Sequence, residues 1–113
     1  MCANLPRRAL APDAARLFAA LGDPRRLAIL AELSDRPKSV TELGAGHDIS
    51  RQGLTKHLHV LEQAGLVRST RFGREVRFQI EQQKLIEAQT FLATVARQWE
   101  DALTRLVRHV EER

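Results

Sequence analysis

The stretch Ser39-Val40-Thr41-Glu42-Leu43-Gly44-Ala45-Gly46-His47-Asp48-Ile49-Ser50-Arg51-Gln52-Gly53-Leu54-Thr55-Lys56-His57-Leu58-His59-Val60-Leu61 holds two helix starts separated by a turn. Ser39 with Glu42 three residues on is a capping box, each side chain satisfying the other residue's backbone N–H. It opens a short helix over residues 40–45. Gly46, His47, Asp48 and Ile49 read as a tight turn, after which Ser50 caps a longer helix over 51–64 that Gly65 closes. Leu54, Leu58 and Leu61 give this second helix one apolar face and leave Arg51, Gln52, Thr55, Lys56 and His59 outward. Two helices joined by a short turn, the second carrying the cations, form a helix-turn-helix unit.

The flanks complete an architecture. Upstream, Asp13 is placed to cap a helix over 14–21, with Ala14, Leu17, Phe18 and Leu21 at helical spacing and Gly22 as its stop. Asp23 directly before Pro24 starts the next helix, which runs on Leu27, Ile29, Leu30 and Leu33 to Ser34; Asp35, Arg36, Pro37 and Lys38 turn the chain. Downstream, Leu66 and Val67, then Val76, Phe78 and Ile80, alternate with polar residues around a tip at Phe72, Gly73 and Arg74. That is a two-stranded ribbon. The helical period returns from about Gln82 to Glu112. The expected fold is mainly α with a small β-hairpin, a winged helix-turn-helix.

Composition agrees with one small domain: 113 residues, 43% hydrophobic, 28% charged, and only 4% aromatic with no Tyr. The single cysteine, Cys2, excludes an intramolecular disulfide and a four-cysteine zinc site. No apolar run approaches the roughly 20 residues of a membrane span, and Pro6, Arg7 and Arg8 interrupt any signal-peptide pattern, so a cytoplasmic location is expected. The net charge of +4 is local. Across residues 51–80, Arg51, Lys56, Arg68, Arg71, Arg74 and Arg77 outweigh Glu62 and Glu75 by that same +4, while the flanking segments nearly cancel. A basic stretch between neutral flanks suits a polyanion, although a merely solvated surface would carry the same charges.

The residue types on the second helix of the unit match a DNA major groove. Arg forks onto guanine, Gln onto adenine, Thr meets a thymine methyl and Lys reaches phosphate. Ser50 sits where the helix dipole favours phosphate. The DNA-binding candidates are therefore Ser50, Arg51, Gln52, Thr55, Lys56 and His59, with Arg71, Arg74 and Arg77 of the hairpin for backbone or minor groove. His57, beside Leu58, reads as a packing residue. On the last helix Ala88, Leu92, Val95, Trp99, Ala102 and Leu106 form a heptad seam, with Ala96, Leu103, Val107 and Val110 as a second stripe. Two stripes exceed what one small globule can cover, so one is expected to face a second copy. The interface candidates are Leu17, Leu21, Leu92, Val95, Trp99, Leu103 and Leu106. No phosphate loop, nucleophile elbow or zinc-protease motif is present, so no catalytic residue, cofactor or metal ligand is assigned and an enzyme is not expected.

Leu17-Phe18-Ala19-Ala20-Leu21-Gly22-Asp23-Pro24-Arg25-Arg26-Leu27-Ala28-Ile29-Leu30, Ser50 through Leu58, and Leu61-Glu62-Gln63-Ala64-Gly65-Leu66-Val67 together resemble the ArsR-type winged-helix regulators. The resemblance spans about residues 13–81. It implies a homodimer built on the first and last helices, with one recognition helix per subunit entering successive major grooves of a palindromic operator. Most such proteins repress transcription and release DNA on a signal. One departure is chemical: the family's metal sensors carry Cys-Val-Cys at the start of the third helix, where Ser39, Val40 and Thr41 stand here. A second family metal site is at most half present, His109 and Glu112 having only Ala96 and Gln98 where its other half belongs. The likeness is to the family's non-metal branch.

The expected organisation is thus a flexible arm over 1–12, a DNA-binding domain over 13–81 and a dimerisation helix over 82–113. The expected function is a homodimeric regulator of double-stranded DNA, most simply a repressor, with an unknown effector. The alternatives are a protein-interaction module on a winged-helix shell, or a redox or metal sensor acting through Cys2 or His109.

Overall fold

The computed structural model describes residues 12–112. Its elements run α1 (Pro12–Leu21), α2 (Pro24–Leu33), β1 (Lys38–Ser39), α3 (Val40–Gly44), α4 (Arg51–Gln63), β2 (Val67–Phe72), β3 (Glu75–Ile80) and α5 (Gln82–Glu111). The caps that punctuate them are local chemistry. Asp23 accepts the N–H groups of Arg25 and Arg26 at 2.8 and 3.1 Å, Ser39 and Glu42 close their capping box, and Ser50 accepts from the Gly53 N–H at 3.0 Å. Foremost the Arg26 N–H, and then that of Arg25, hold the Asp23 carboxyl below the usual carboxylate range against partial desolvation.

Leucines supply most of the core. Leu43, Leu54, Leu58, Leu61 and Leu66 are each at most 1% exposed, and Leu17, Ile29, Leu30, Leu33, Val67 and Ala88 surround them. Each buried Leu contributes about 1.5–3 kcal/mol of transfer free energy, so these five pin α3, α4 and the start of the wing to one centre. Gly65 takes φ +79 where α4 ends, the left-handed conformation that lets the chain reverse into β2.

Four sequence expectations are corrected. α1 opens at Pro12, so Asp13 lies within the helix rather than at its cap; proline's fixed φ suits a first turn. α3 and α4 end one residue early, with Ala45 and Ala64 as their C-caps. The ribbon has a third strand, because Lys38 and Ser39 pair with Phe78 and Arg77 to give the antiparallel order β1-β3-β2. The heptad seam of α5 is not one surface: Ala88 is buried, Val95 and Ala102 are half-buried, and Leu92, Trp99 and Leu106 are exposed. The arm expected over 1–12, with Cys2, lies outside the described residues except for Pro12.

Candidate nucleic-acid interface

Sealing Leu54, Leu58 and Leu61 against the core fixes the rotation of α4, and the opposite face follows from the 3.6-residue period. Ser50, Arg51, Gln52, Thr55, Lys56 and His59 are all exposed there. Ser50 satisfies only part of the first turn, so the remaining N–H groups point out of the helix end, where an anionic oxygen is favoured. The Arg51 guanidinium reaches the Thr41 hydroxyl on α3 at 3.4 Å, so both helices meet at the exposed edge of the unit. The Thr55 hydroxyl donates to the Arg51 carbonyl at 2.9 Å, which leaves its methyl as the group without a polar partner. His57 is half-buried, as the sequence suggested.

The wing projects beside this helix. Its strands pair from Val67↔Ile80 to Phe72↔Glu75, and Gly73, at φ +64, makes a two-residue turn with Arg74. Ser69 donates to Glu62 at 3.0 Å, tying β2 to the end of α4.

The wing's arginines fall into two groups. Arg77 donates through Nε to Glu75 at 2.7 Å and lies over the Phe72 ring, 4.8 Å from its centroid. Arg68 is likewise held: Glu81 lies 3.7 Å away, and the Gln79 amide, with its oxygen turned to face the guanidinium, accepts from Nε and Nη2 at 3.2 and 2.8 Å. Arg71 and Arg74 have no ion pair or hydrogen-bond partner among the described residues and stand exposed at the tip.

At Ser39, Val40 and Thr41, where the resemblance noted above would place a thiolate pair, the donors do not fit a soft metal ion. Ser39 is buried, and its hydroxyl is committed to the Glu42 N–H at 3.2 Å. Glu42 in turn bonds Arg36 at 2.7 Å, which, with the Ser39 N–H, lowers its pKa to about 2. Among the described residues no group of three His, Cys, Asp or Glu side chains gathers as metal ligands would.

Of the interface candidates, Leu92, Trp99, Leu103 and Leu106 are exposed on α5, and Val95 and Leu21 are half-buried. Leu17 is corrected: at 5% exposure it belongs to the protomer's own core and offers a partner almost no surface. The aromatic contact between α1 and α5 is instead Phe18 against Phe91, 5.5 Å between centroids. Sequence reasoning also passed over Arg26, whose side chain reaches from α2 to both α1 and α4. Its signal was present, since two arginines in the first turn of α2 oppose the helix dipole.

Comparison with known proteins places this geometry. A family described as "Helix-turn-helix domain" matches residues 21–70. The HTH-type transcriptional repressor SmtB of Mycobacterium tuberculosis is 34% identical over 98 residues, 87% of this chain and 71% of that protein. An ArsR-like transcriptional regulator from Rhodococcus sp. RHA1 superposes with a TM-score of 0.77 at 33% identity, over 85% of this chain and 91% of that one. A homodimeric winged helix-turn-helix DNA-binding domain from Mycobacterium bovis, a possible ArsR-family transcriptional regulator, gives a TM-score of 0.64 at 26% identity, over 88% and 89% of the two chains. With a winged helix-turn-helix fold, and with sequence similarity to a repressor across most of its length, the chain belongs to the ArsR/SmtB-type winged helix-turn-helix transcriptional regulators.

Proposed function

We propose that this regulator is a homodimeric repressor of a palindromic operator, with α4 as the recognition helix of each protomer. The observation that carries the reading is the division of α4: one side sealed by three leucines, the other presenting exposed Arg51, Gln52, Thr55, Lys56 and His59. Gln52 and Arg51 read base edges, Thr55 offers its methyl to thymine, and Lys56, Ser50 and the helix N-terminus hold phosphate. Arg71 and Arg74 hold the backbone or enter the minor groove. Arg77, committed to Glu75 and Phe72, stiffens the wing and adds to its field without reaching out. The location that goes with this partner is the cytoplasm.

Dimerisation uses the exposed side of α5, with Trp99 as anchor, and sets the two recognition helices about 34 Å apart, one turn of duplex. Domain roles follow: residues up to Glu81 read DNA and those beyond it pair the protomers.

Selection of preferred duplexes from a random pool at fixed salt tests the reading. A palindrome with half-sites one turn apart, and an affinity falling steeply with salt, are expected. Recovery of no sequence, or equal affinity at low and high salt, would reject it.

A further inference from the structure

Arg26, on α2, joins its own helix to α1 and α4. Its backbone N–H completes the Asp23 cap at the start of α2, while its side chain turns back to the end of α1. There Nε donates to the Ala20 carbonyl at 2.7 Å and Nη2 to the Ala19 carbonyl at 3.2 Å. Both are last-turn carbonyls of α1, that of Ala19 also accepting the Gly22 N–H at 3.2 Å, and a cation at a helix C-terminus meets the favourable end of the dipole. The third nitrogen, Nη1, lies 3.4 Å from His57 Nδ1 on α4 and 4.0 Å from Asp23 Oδ2. A guanidinium only donates, so the contact to His57 is a hydrogen bond when Nδ1 carries no proton. The side chain is 17% exposed, and it lies on the α2 side of α4 at His57, a residue that is itself half-buried.

The planar fork suits this task better than a point charge would. One rigid group fixes the end of α1 and the middle of α4 with respect to each other. Phe18, next to Ala19, packs its ring at a tilt against Phe91 of α5. A continuous line of contacts thus runs from α5 through the end of α1 and one guanidinium to the residue between Lys56 and Leu58.

We infer that Arg26 is a positioning residue for operator binding: it sets the angle of the recognition helix relative to α1, acting through His57 and touching no DNA itself. The inference rests on the DNA-binding reading and deepens it.

The test is a double-mutant cycle in the full chain, read as affinity for the selected duplex at several salt concentrations. Arg26→Met and His57→Leu should each weaken binding about tenfold, and the double variant should be no worse than the weaker single, because both cut one link. The salt slope should stay at its wild-type value, since no phosphate contact is lost. His57→Gln, which keeps an acceptor, should retain affinity, and Arg26→Lys, which cannot fork, should behave as Arg26→Met. Additive losses, a shallower salt slope or full rescue by lysine would each overturn the inference. If Arg26→Met fails to fold, His57→Leu against His57→Gln decides alone, equal affinities rejecting the link. A wild-type chain without salt-dependent duplex affinity overturns both readings. A wild-type chain that binds normally, with His57→Leu unchanged, overturns only this one.

Discussion

Gln52 and Arg74 are both exposed polar side chains without an intramolecular partner among the described residues, yet they should fail differently when removed. An amide that pairs with one base edge discriminates, so Gln52→Ala should relax preference by about 1–3 kcal/mol at one base pair per half-site. A guanidinium at a phosphate attracts every duplex alike, so Arg74→Ala should weaken binding to all sequences and flatten the salt slope. Binding measured across a panel of single-base operator variants separates the two; equal losses on every variant would show the sorting to be wrong. Charge counting had treated Arg68, Arg71, Arg74 and Arg77 as equivalent. Arg77 meets Glu75 two residues away on its own strand, a pairing alternation already implies, but its contact with Phe72 and the seating of Arg68 against Gln79 depend on cross-strand register, which alternation alone does not fix. Sequence therefore located the basic surface but not its free cations.

The helices were legible element by element because their signals are local. Asp23-Pro24, Ser39 with Glu42, and Ser50 each act within three residues of themselves, so no knowledge of distant partners was needed. β1 escaped for the opposite reason: a two-residue strand has no period, and Ser39 both pairs with Arg77 and caps α3. The α3 cap carries its own prediction. Glu42 is depressed from 4.5 to about 2, first by its bond to Arg36 and then by the Ser39 N–H. A carboxyl depressed on folding stabilises the folded form fully above the ordinary carboxylate range, and loses that contribution as pH falls through its folded pKa. Thermal melting between pH 7 and pH 2 should show stability declining below about pH 4.5. Glu42→Gln should flatten that decline, and an unchanged acid profile in the variant would remove Glu42 as its source.

At the scale of the whole molecule, α5 departs from the globule. The principal extents are 69 × 27 × 21 Å and the radius of gyration is 18.8 Å, against about 13 Å for a compact chain of 100 residues. Trp99, Leu103, Leu106 and Val110 lie on the projecting part, each more than half exposed. Contiguous apolar surface of this kind marks an interaction site. Trp99→Asp should leave the helix-turn-helix intact, produce monomers in sedimentation equilibrium, and lose most operator affinity. A dimer that persists in this variant would move the interface elsewhere.

The projecting helix also bears on how such a regulator responds to its own abundance. With the dimer proposed above, the DNA-reading species forms by one encounter of two chains, so at low expression its concentration would rise with the square of the chain concentration. Doubling synthesis then roughly quadruples occupancy of a weakly filled operator. On that proposal, one exposed stripe of side chains would give the genetic circuit a steeper response than a monomeric helix-turn-helix could supply.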